Sequence, residues 1–238
     1  PFGVRWISDG FALKLARWFD LILPISRCIA EDFNFKPSKV LVFNGGLTRQ
    51  SRDLLNVNPS NRLPYAVFAG ALEKYNGVEQ LISIWPTLKA NFVLHIFGKG
   101  ACEEMVKNAE KMCKNIVYHG FSSEEDVAKW QASATLNFCL RYSLNINARY
   151  FFPSKFFNVL AAPGAVVVNR FDGFPLELEK FCFIVDDDLK NLQEKIDSID
   201  LHMNNNLKCR RDWLRANAEW RIPLRKALKF SSDKGVGL

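Results

Sequence analysis

The chain has 238 residues, 48% of them hydrophobic and 24% charged, a globular composition that excludes a disordered or fibrous protein and can bury the core of one large domain or about two. Its net charge of +7 calls for an anionic partner, the candidates being nucleic acid, an anionic membrane surface or a phosphorylated small molecule. No apolar run approaches the ~20 residues of a membrane-spanning helix, and the start lacks the basic, apolar, small-residue order of a signal peptide.

In chain order, FALKLARWF within residues 10–19 places apolar groups on one helical face, and DLILPIS follows as a short strand. Residues 26–33 read as a helix and KVLVFNGG as a strand ending in a Gly-Gly turn, whereas residues 47–63, rich in Arg, Asn, Ser and Pro, read as a linker. Regular alternation then begins. Strands are expected at 65–72, 92–98, 115–120, 134–140, 165–169 and 182–185, with helices at 77–88, 101–114, 123–132 and 188–199 and one opening after Pro153. Crossovers of this length force parallel pairing, so the fold class is α/β, a doubly wound parallel sheet, with a partial second Rossmann-like unit before it. The chain starts at Pro1 in what reads as a helix already under way, which raises the expectation of a fragment or processed chain.

Ligands of such sheets bind beyond the carboxyl ends of the strands. Gly70, Gly98, Gly100 and Gly120 stand there, where a missing side chain admits a ligand to the backbone or merely makes a tight βα turn. Gly98-Lys99-Gly100 lacks the third glycine of a dinucleotide fingerprint, because position 103 is Glu103, so an oxidoreductase is a minor alternative. Ser154 and Lys155 open a helix after Pro153, where free backbone N–H groups and a lysine suit a phosphate; an ordinary N-cap beside a solvated lysine is the competing account. Arg141 follows a strand onto the same rim, and two cations together favour a diphosphate. His95 lies inside an apolar strand as a core residue, and His119 is a weak candidate for a ligand contact. The cysteines Cys28, Cys102, Cys113, Cys139, Cys182 and Cys209 are scattered without C-x-x-C pairing, which argues for reduced thiols in a cytosolic setting and against zinc.

The stretches YAVFAGALEKYNGVEQLISIW, FVLHIFGKG, NIVYHGFSSEEDVAKWQASATLNFCLR and YFFPSKFFNVLAAPGAVVV resemble the carboxyl-terminal, nucleotide-sugar-binding domain of the retaining GT-B glycosyltransferases of family four, nearest the bacterial branch of surface-polysaccharide assembly. LILPISRCIAEDF with KVLVFNGG resembles the end of the amino-terminal acceptor domain, and the likeness covers residues 20–199. The resemblance implies two facing Rossmann-like domains, a UDP- or GDP-sugar donor as co-substrate, a glycan or lipid-linked acceptor, hexose-type transfer with retention, and neither cofactor nor obligatory metal. It sets the backbone of Ser154 and Lys155 against the diphosphate with Gly70 nearby, turns Asn158 toward the ribose, and borders the base with Gly98, Gly120 and Phe121; no catalytic residue is assigned. This sequence departs from the pattern where Asn158 and Tyr150 replace two glutamates, where Ala71 and Asn76 replace an arginine and a lysine, and where the glycine before the next strand is permuted into Pro163-Gly164. A degenerate, non-catalytic nucleotide-sugar-binding protein is therefore the alternative.

Residues 208–238 mix Arg and Lys with Trp213, Trp220, Leu224 and Leu228. The resemblance makes them helices that brace the amino-terminal part, with peripheral contact at the inner face of a membrane as a secondary role for a cytoplasmic protein. Nucleic acid is not expected as a partner, since no RNA-recognition motif or stacking platform is present. The expected division is 1–60 as the remnant of the acceptor-side domain and its linker, 61–207 as the nucleotide-sugar-binding domain, and 208–238 as the basic tail.

Overall fold

The computed structural model describes residues 14–58, 62–89, 91–142 and 150–232. Its centre is a six-stranded, all-parallel sheet of order β3-β2-β1-β4-β5-β6, built from β1 (Leu63–Ala69), β2 (Val93–Phe97), β3 (Ile116–Tyr118), β4 (Ala134–Phe138), β5 (Ala165–Asn169) and β6 (Phe183–Val185). The chain winds outward from β1 to β3, then returns to place β4 on the other side of β1. The doubly wound reading is thus the observed fold, and the sheet reverses its order between β1 and β4.

Alternation along the strands sorts the core into two faces. Ala66, Phe68, Leu94, Ile96, Leu136 and Phe138 meet α3 (Val78–Ile84), α4 (Glu103–Met112) and α7 (Leu192–Asp197) on one side. On the other, Val166 and Val168 meet α6 (Phe156–Ala161) and α8 (Ile199–Asn217), and Tyr65, Val67 and Phe97 lie under Val127 and Trp130 of α5 (Glu124–Ser133). Every residue of β5 is buried, as a strand covered on both faces requires.

The expected linker holds a helix. Thr48 caps α2 (Arg49–Leu54), its hydroxyl accepting from the Ser51 N–H at 3.3 Å, and Ser51 and Leu54 are buried. The helix predicted at 188–199 is instead α7, with Ile199 already the first residue of the longer α8, and Leu189 adopts φ 56° among the residues before α7 that stay out of the helix. Of the helix expected at 10–19, residues 10–13 lie outside the described residues, and 14–16 form a single helical turn. The two predicted strands ahead of the linker meet in a single parallel bridge, Ile22 to Val40, on either side of α1 (Arg27–Asp32), whose N-cap Ser26 accepts from the Cys28 N–H.

The tail returns to this amino-terminal segment. Ala218 O accepts from Leu47 N at 2.9 Å, and Trp220 packs edge-on against Phe43 at 4.9 Å. Arg211 donates to Leu54 O at 3.2 Å, and Arg215 donates to Leu55 O at 3.1 Å. The last helix, α9 (Arg221–Ser232), follows.

His95 is half-buried in β2 and shares a hydrogen bond with His119, Nδ1 to Nε2, at 2.8 Å. Trp130 covers the His95 ring at 4.3 Å and Phe97 stacks on His119 at 4.4 Å. Burial, and secondarily the His119 charge, lower the His95 pKa from 6.5 to about 4. A histidine of the unfolded chain takes up its proton near 6.5, so between these values the unfolded state binds more protons and stability must fall as pH drops. Urea unfolding at pH 7 and pH 5 is expected to show a lower midpoint at pH 5, with the difference reduced in His95→Gln; equal shifts in both proteins would contradict this.

Candidate functional site

The carboxyl ends of β1, β2 and β4 open onto two adjoining hollows. One, of about 310 Å³, is lined by Gly70, Tyr75, Asn76, Arg141, Phe151 and Lys155, among others. The second, of about 430 Å³, is lined by Gly70, Gly98, Lys99, Phe121, Ser122 and Lys155, among others. Gly70 and Lys155 belong to both, with Ala69 and Ala71.

Each cation reaches the rim for a local reason. Lys155 precedes the first residue of α6 and reaches back over the end of β1, its Nζ 3.7 Å from where a Gly70 Cβ would stand. A methyl at 70 would meet that ammonium at ordinary van der Waals distance. Lys155 is exposed as a residue, yet burial lowers its pKa, with Cys139 and Glu124 holding it up. Among the described residues no carboxylate pairs with it. Arg141 leaves β4 with its guanidinium over the Tyr75 ring at 4.6 Å and the Phe151 ring at 5.4 Å, donating to Asn76 Oδ1 at 3.1 Å. Burial lowers its pKa, yet an arginine in this setting keeps its charge. It too has no carboxylate partner among the described residues, so two cations flank one opening without internal neutralisation.

The turns are tied to one another. Gly70 N donates to Phe97 O at 3.0 Å and Gly98 N donates to Gly120 O at 2.8 Å. Gly98 has φ 136°, and a Cβ there would lie 1.7 Å from Gly70 O, so the bare backbone at 98 first serves the packing of one turn on the next. Gly120, at φ 70°, faces open space, and Phe121 beyond it is exposed with Lys99 Nζ 5.8 Å from its ring.

Three expectations about side chains change. Ser154 caps nothing: the N-cap of α6 is Lys155, without a side-chain bond, because the turn closed by Phe156 N to Pro153 O delays the helix. His119 is occupied by His95 and Phe97 rather than turned to the rim. Asn158, half-buried, is engaged at both ends of its amide, accepting from Thr48 N at 3.4 Å and donating to Glu124 Oε1 at 3.3 Å. Thus Gly70, Arg141 and Lys155 share the first hollow with Ser154, Gly70, Gly98, Phe121 and Lys155 share the second, and Gly120 and Asn158 line neither.

Sequence reasoning missed Tyr75, Phe151 and Asn169. Asn169 ends β5 with 1% exposure; its Oδ1 accepts from Arg141 N at 2.8 Å and its Nδ2 donates to Arg141 O at 2.7 Å and Asp187 Oδ1 at 2.8 Å. A polar residue closing an otherwise apolar strand was the available signal.

The profile described as "Glycosyl transferases group 1" matches residues 52–219, most of the chain. The chain belongs to the group 1 glycosyl transferases. Among solved structures, it is similar to WaaG, a glycosyltransferase involved in lipopolysaccharide biosynthesis, with 14% identity, a TM-score of 0.62 and coverage of 88% of this chain and 62% of that one. A glycosyltransferase from Rickettsia africae superposes with a TM-score of 0.67 at 16% identity, covering 90% of this chain and 63% of that one. Anabaena HepE, solved with UDP and glucose, gives a TM-score of 0.65 at 14% identity, covering 93% and 66%. No curated protein sequence matches. This chain therefore spans less than two thirds of the length of each of these three structures and shares their GT-B type of fold.

Replacing Asn169 by alanine removes three buried hydrogen bonds and leaves the Asp187 carboxylate without this donor. It is expected to cost roughly 3 kcal/mol, measured by urea unfolding, with Asn169→Ser intermediate.

Proposed function

We propose that this group 1 glycosyl transferase uses its carboxyl rim to hold a nucleotide-sugar, with the diphosphate at Lys155 and Arg141. The observation that carries this reading is the pair of adjoining hollows joined by one lysine, with a second, half-buried cation in the first of them, neither having a carboxylate partner among the described residues. Such fixed cations compensate the charge of a diphosphate and stabilise it further as it becomes the leaving group. The second hollow, with the exposed Phe121, suits a base, and HepE, of similar fold, was solved with UDP and glucose. Retention, the family-four branch, a hexose-type sugar, a glycan or lipid-linked acceptor and independence from a cofactor or metal belong to the same proposal, supported by the motif resemblance. So does the division into an acceptor-side remnant, a donor domain at 61–207 and a bracing tail. Group membership speaks against the oxidoreductase alternative.

A second reading, binding without transfer, is favoured by Asn158, whose amide is taken up by Thr48 and Glu124. Restored or raised transfer in Asn158→Glu with unchanged nucleotide affinity would support it over an active wild type.

Calorimetric titration of UDP and GDP is expected to show that Lys155→Ala and Arg141→Ala each weaken diphosphate binding about tenfold, and the double variant more. An unchanged affinity in the double variant would remove the diphosphate site.

The tail supplies the basis for peripheral membrane contact. Trp220, Leu224 and Leu228 recur every four residues and are all exposed, beside Arg221, Arg225, Lys226 and Lys229. No helix among the described residues is long and apolar enough to cross a membrane. An amphipathic basic helix of this kind lies at an anionic surface. Cosedimentation with vesicles containing phosphatidylglycerol is expected, weakened at high salt and lost in Leu224→Asp/Leu228→Asp; equal binding to neutral vesicles would count against it.

A further inference from the structure

A third hollow, of about 460 Å³, lies at the opposite end of the sheet from the rim, where β5 and β6 begin. Pro163, Lys180, Cys182, Ile184, Ser198 and Arg210 are among the residues that line it. Arg210 belongs to α8 and is 6% exposed. Its Nη2 donates to Ala162 O at 2.6 Å and to Gly164 O at 3.1 Å, which ties α8 to the junction of α6 and β5. Both acceptors are neutral, and Nε is buried without a hydrogen-bond partner. Among the described residues no carboxylate pairs with this guanidinium.

The acids that line the hollow are already engaged. Glu179 is held by Arg170 at 2.8 Å and Glu194 by Lys195 at 3.2 Å. The Cys182 thiol supplies no counter-charge either, because burial pushes its pKa up to about 12 and keeps it neutral at pH 7. Burial chiefly, with the charges of Arg211 and Arg62, lowers the Arg210 pKa to about 10, so the group is still a cation at that pH. Lys180 is exposed and makes no ion pair among the described residues, its Nζ standing 5.1 Å from the centre of the Phe181 ring. A buried guanidinium without an anion is costly, and an anion entering the hollow lowers that cost.

Two unspent cations match a dianion better than a single carboxylate, and a phosphate monoester carries close to two charges at pH 7. Arginine binds phosphate oxygens through its N–H groups, and lysine adds a point charge. The volume exceeds that of a bare oxyanion and falls in the range of small-molecule sites, with Pro163, Phe183 and Ile184 as an apolar wall for a carbon skeleton. We propose that this hollow is a second anion site, which holds a phosphate group, free or carried by a small metabolite, between Arg210 and Lys180. A phosphate there bridges α8 to the turn before β6, at the end of the sheet away from the nucleotide-sugar rim.

The test titrates the full chain calorimetrically with inorganic phosphate and with glycerol 3-phosphate at fixed ionic strength, for the wild type and for Lys155→Ala/Arg141→Ala, in which the rim cannot contribute. Into that double variant are placed Lys180→Glu, Arg210→Lys or Lys111→Glu, the last an exposed position of α4 that repeats the charge change away from the hollow. Circular dichroism checks that each folds. Saturable binding is expected to persist in the double variant, to weaken about tenfold with Lys180→Glu and with Arg210→Lys, and to be unchanged by Lys111→Glu. Tighter binding of glycerol 3-phosphate would support a phosphorylated metabolite as the ligand, and equal affinities would support free phosphate. Should Arg210→Lys fail to fold, Lys180→Glu decides alone, since its side chain is exposed. Absence of saturable binding, its loss in the double variant, full affinity with Lys180→Glu, or equal losses with Lys180→Glu and Lys111→Glu would each overturn the inference.

Discussion

The rim depends on one buried amide. Asn169 sits at the end of β5 with its side chain closed off from water, and it spends its oxygen on Arg141 N and its nitrogen on Arg141 O and Asp187. Left unpaired at that depth, the same group would cost a substantial part of a domain's stability. Paired, it locks the ends of β4 and β5 and the segment after β6 in one arrangement. Tyr142 extends the lock, its N–H donating to Tyr75 O at 2.8 Å and its hydroxyl to Asp187 O at 2.7 Å. The Arg141 guanidinium is therefore launched from a fixed backbone into a slot walled by Tyr75, from the connection after β1, and by Phe151, from further along its own connection between β4 and α6. No part of this network has to touch a ligand in order to decide where the cation stands.

Charge on this chain has two characters. Pairs such as Lys107 with Glu103 and Lys129 with Glu125 lie along exposed helix faces and contribute little to stability individually. Lys155 and Arg141 differ in that burial lowers the pKa of each and, among the described residues, no carboxylate meets them, a costly arrangement. That cost falls when an anion arrives, which is how a site gains affinity from preorganisation rather than from new contacts. The net charge of +7 signalled an anionic partner, but only the fold shows which cations remain unspent.

The strands were legible because each is an apolar run closed by a turn residue, and their parallel pairing followed from the helical crossovers between them. Helix α2 was not, since a six-residue helix that buries Ser51 and Leu54 has too few turns to show a period; Thr48 three residues before Ser51 was its only local mark. Gly70, Lys155 and Arg141 were placed correctly on the rim by strand-end logic alone. Asn158 shows where that logic stops: its partners Thr48 and Glu124 lie 110 and 34 residues away, and neither carries a sequence signal of meeting it. Gly98 is a related case, where a glycine read as room for a ligand is first required by the carbonyl of Gly70. Position along a strand is a local property that sequence encodes, while the choice of hydrogen-bond partner belongs to the assembled fold.

Those distant partners also join the site to the tail. Leu47 N donates to Ala218 O, and the next residue, Thr48, donates its N–H to Asn158, which in turn holds Glu124. Arg211 and Arg215 fasten the same segment by its carbonyls at Leu54 and Leu55. Two successive backbone amides thus face opposite ways, one toward the tail and one toward the rim, so the segment cannot shift at one contact without straining the other. The sheet fixes Gly70 and Arg141 by itself. The placement of Asn158, and through it Glu124, is tied to the docking of α8 and the residues after it by this chain of hydrogen bonds.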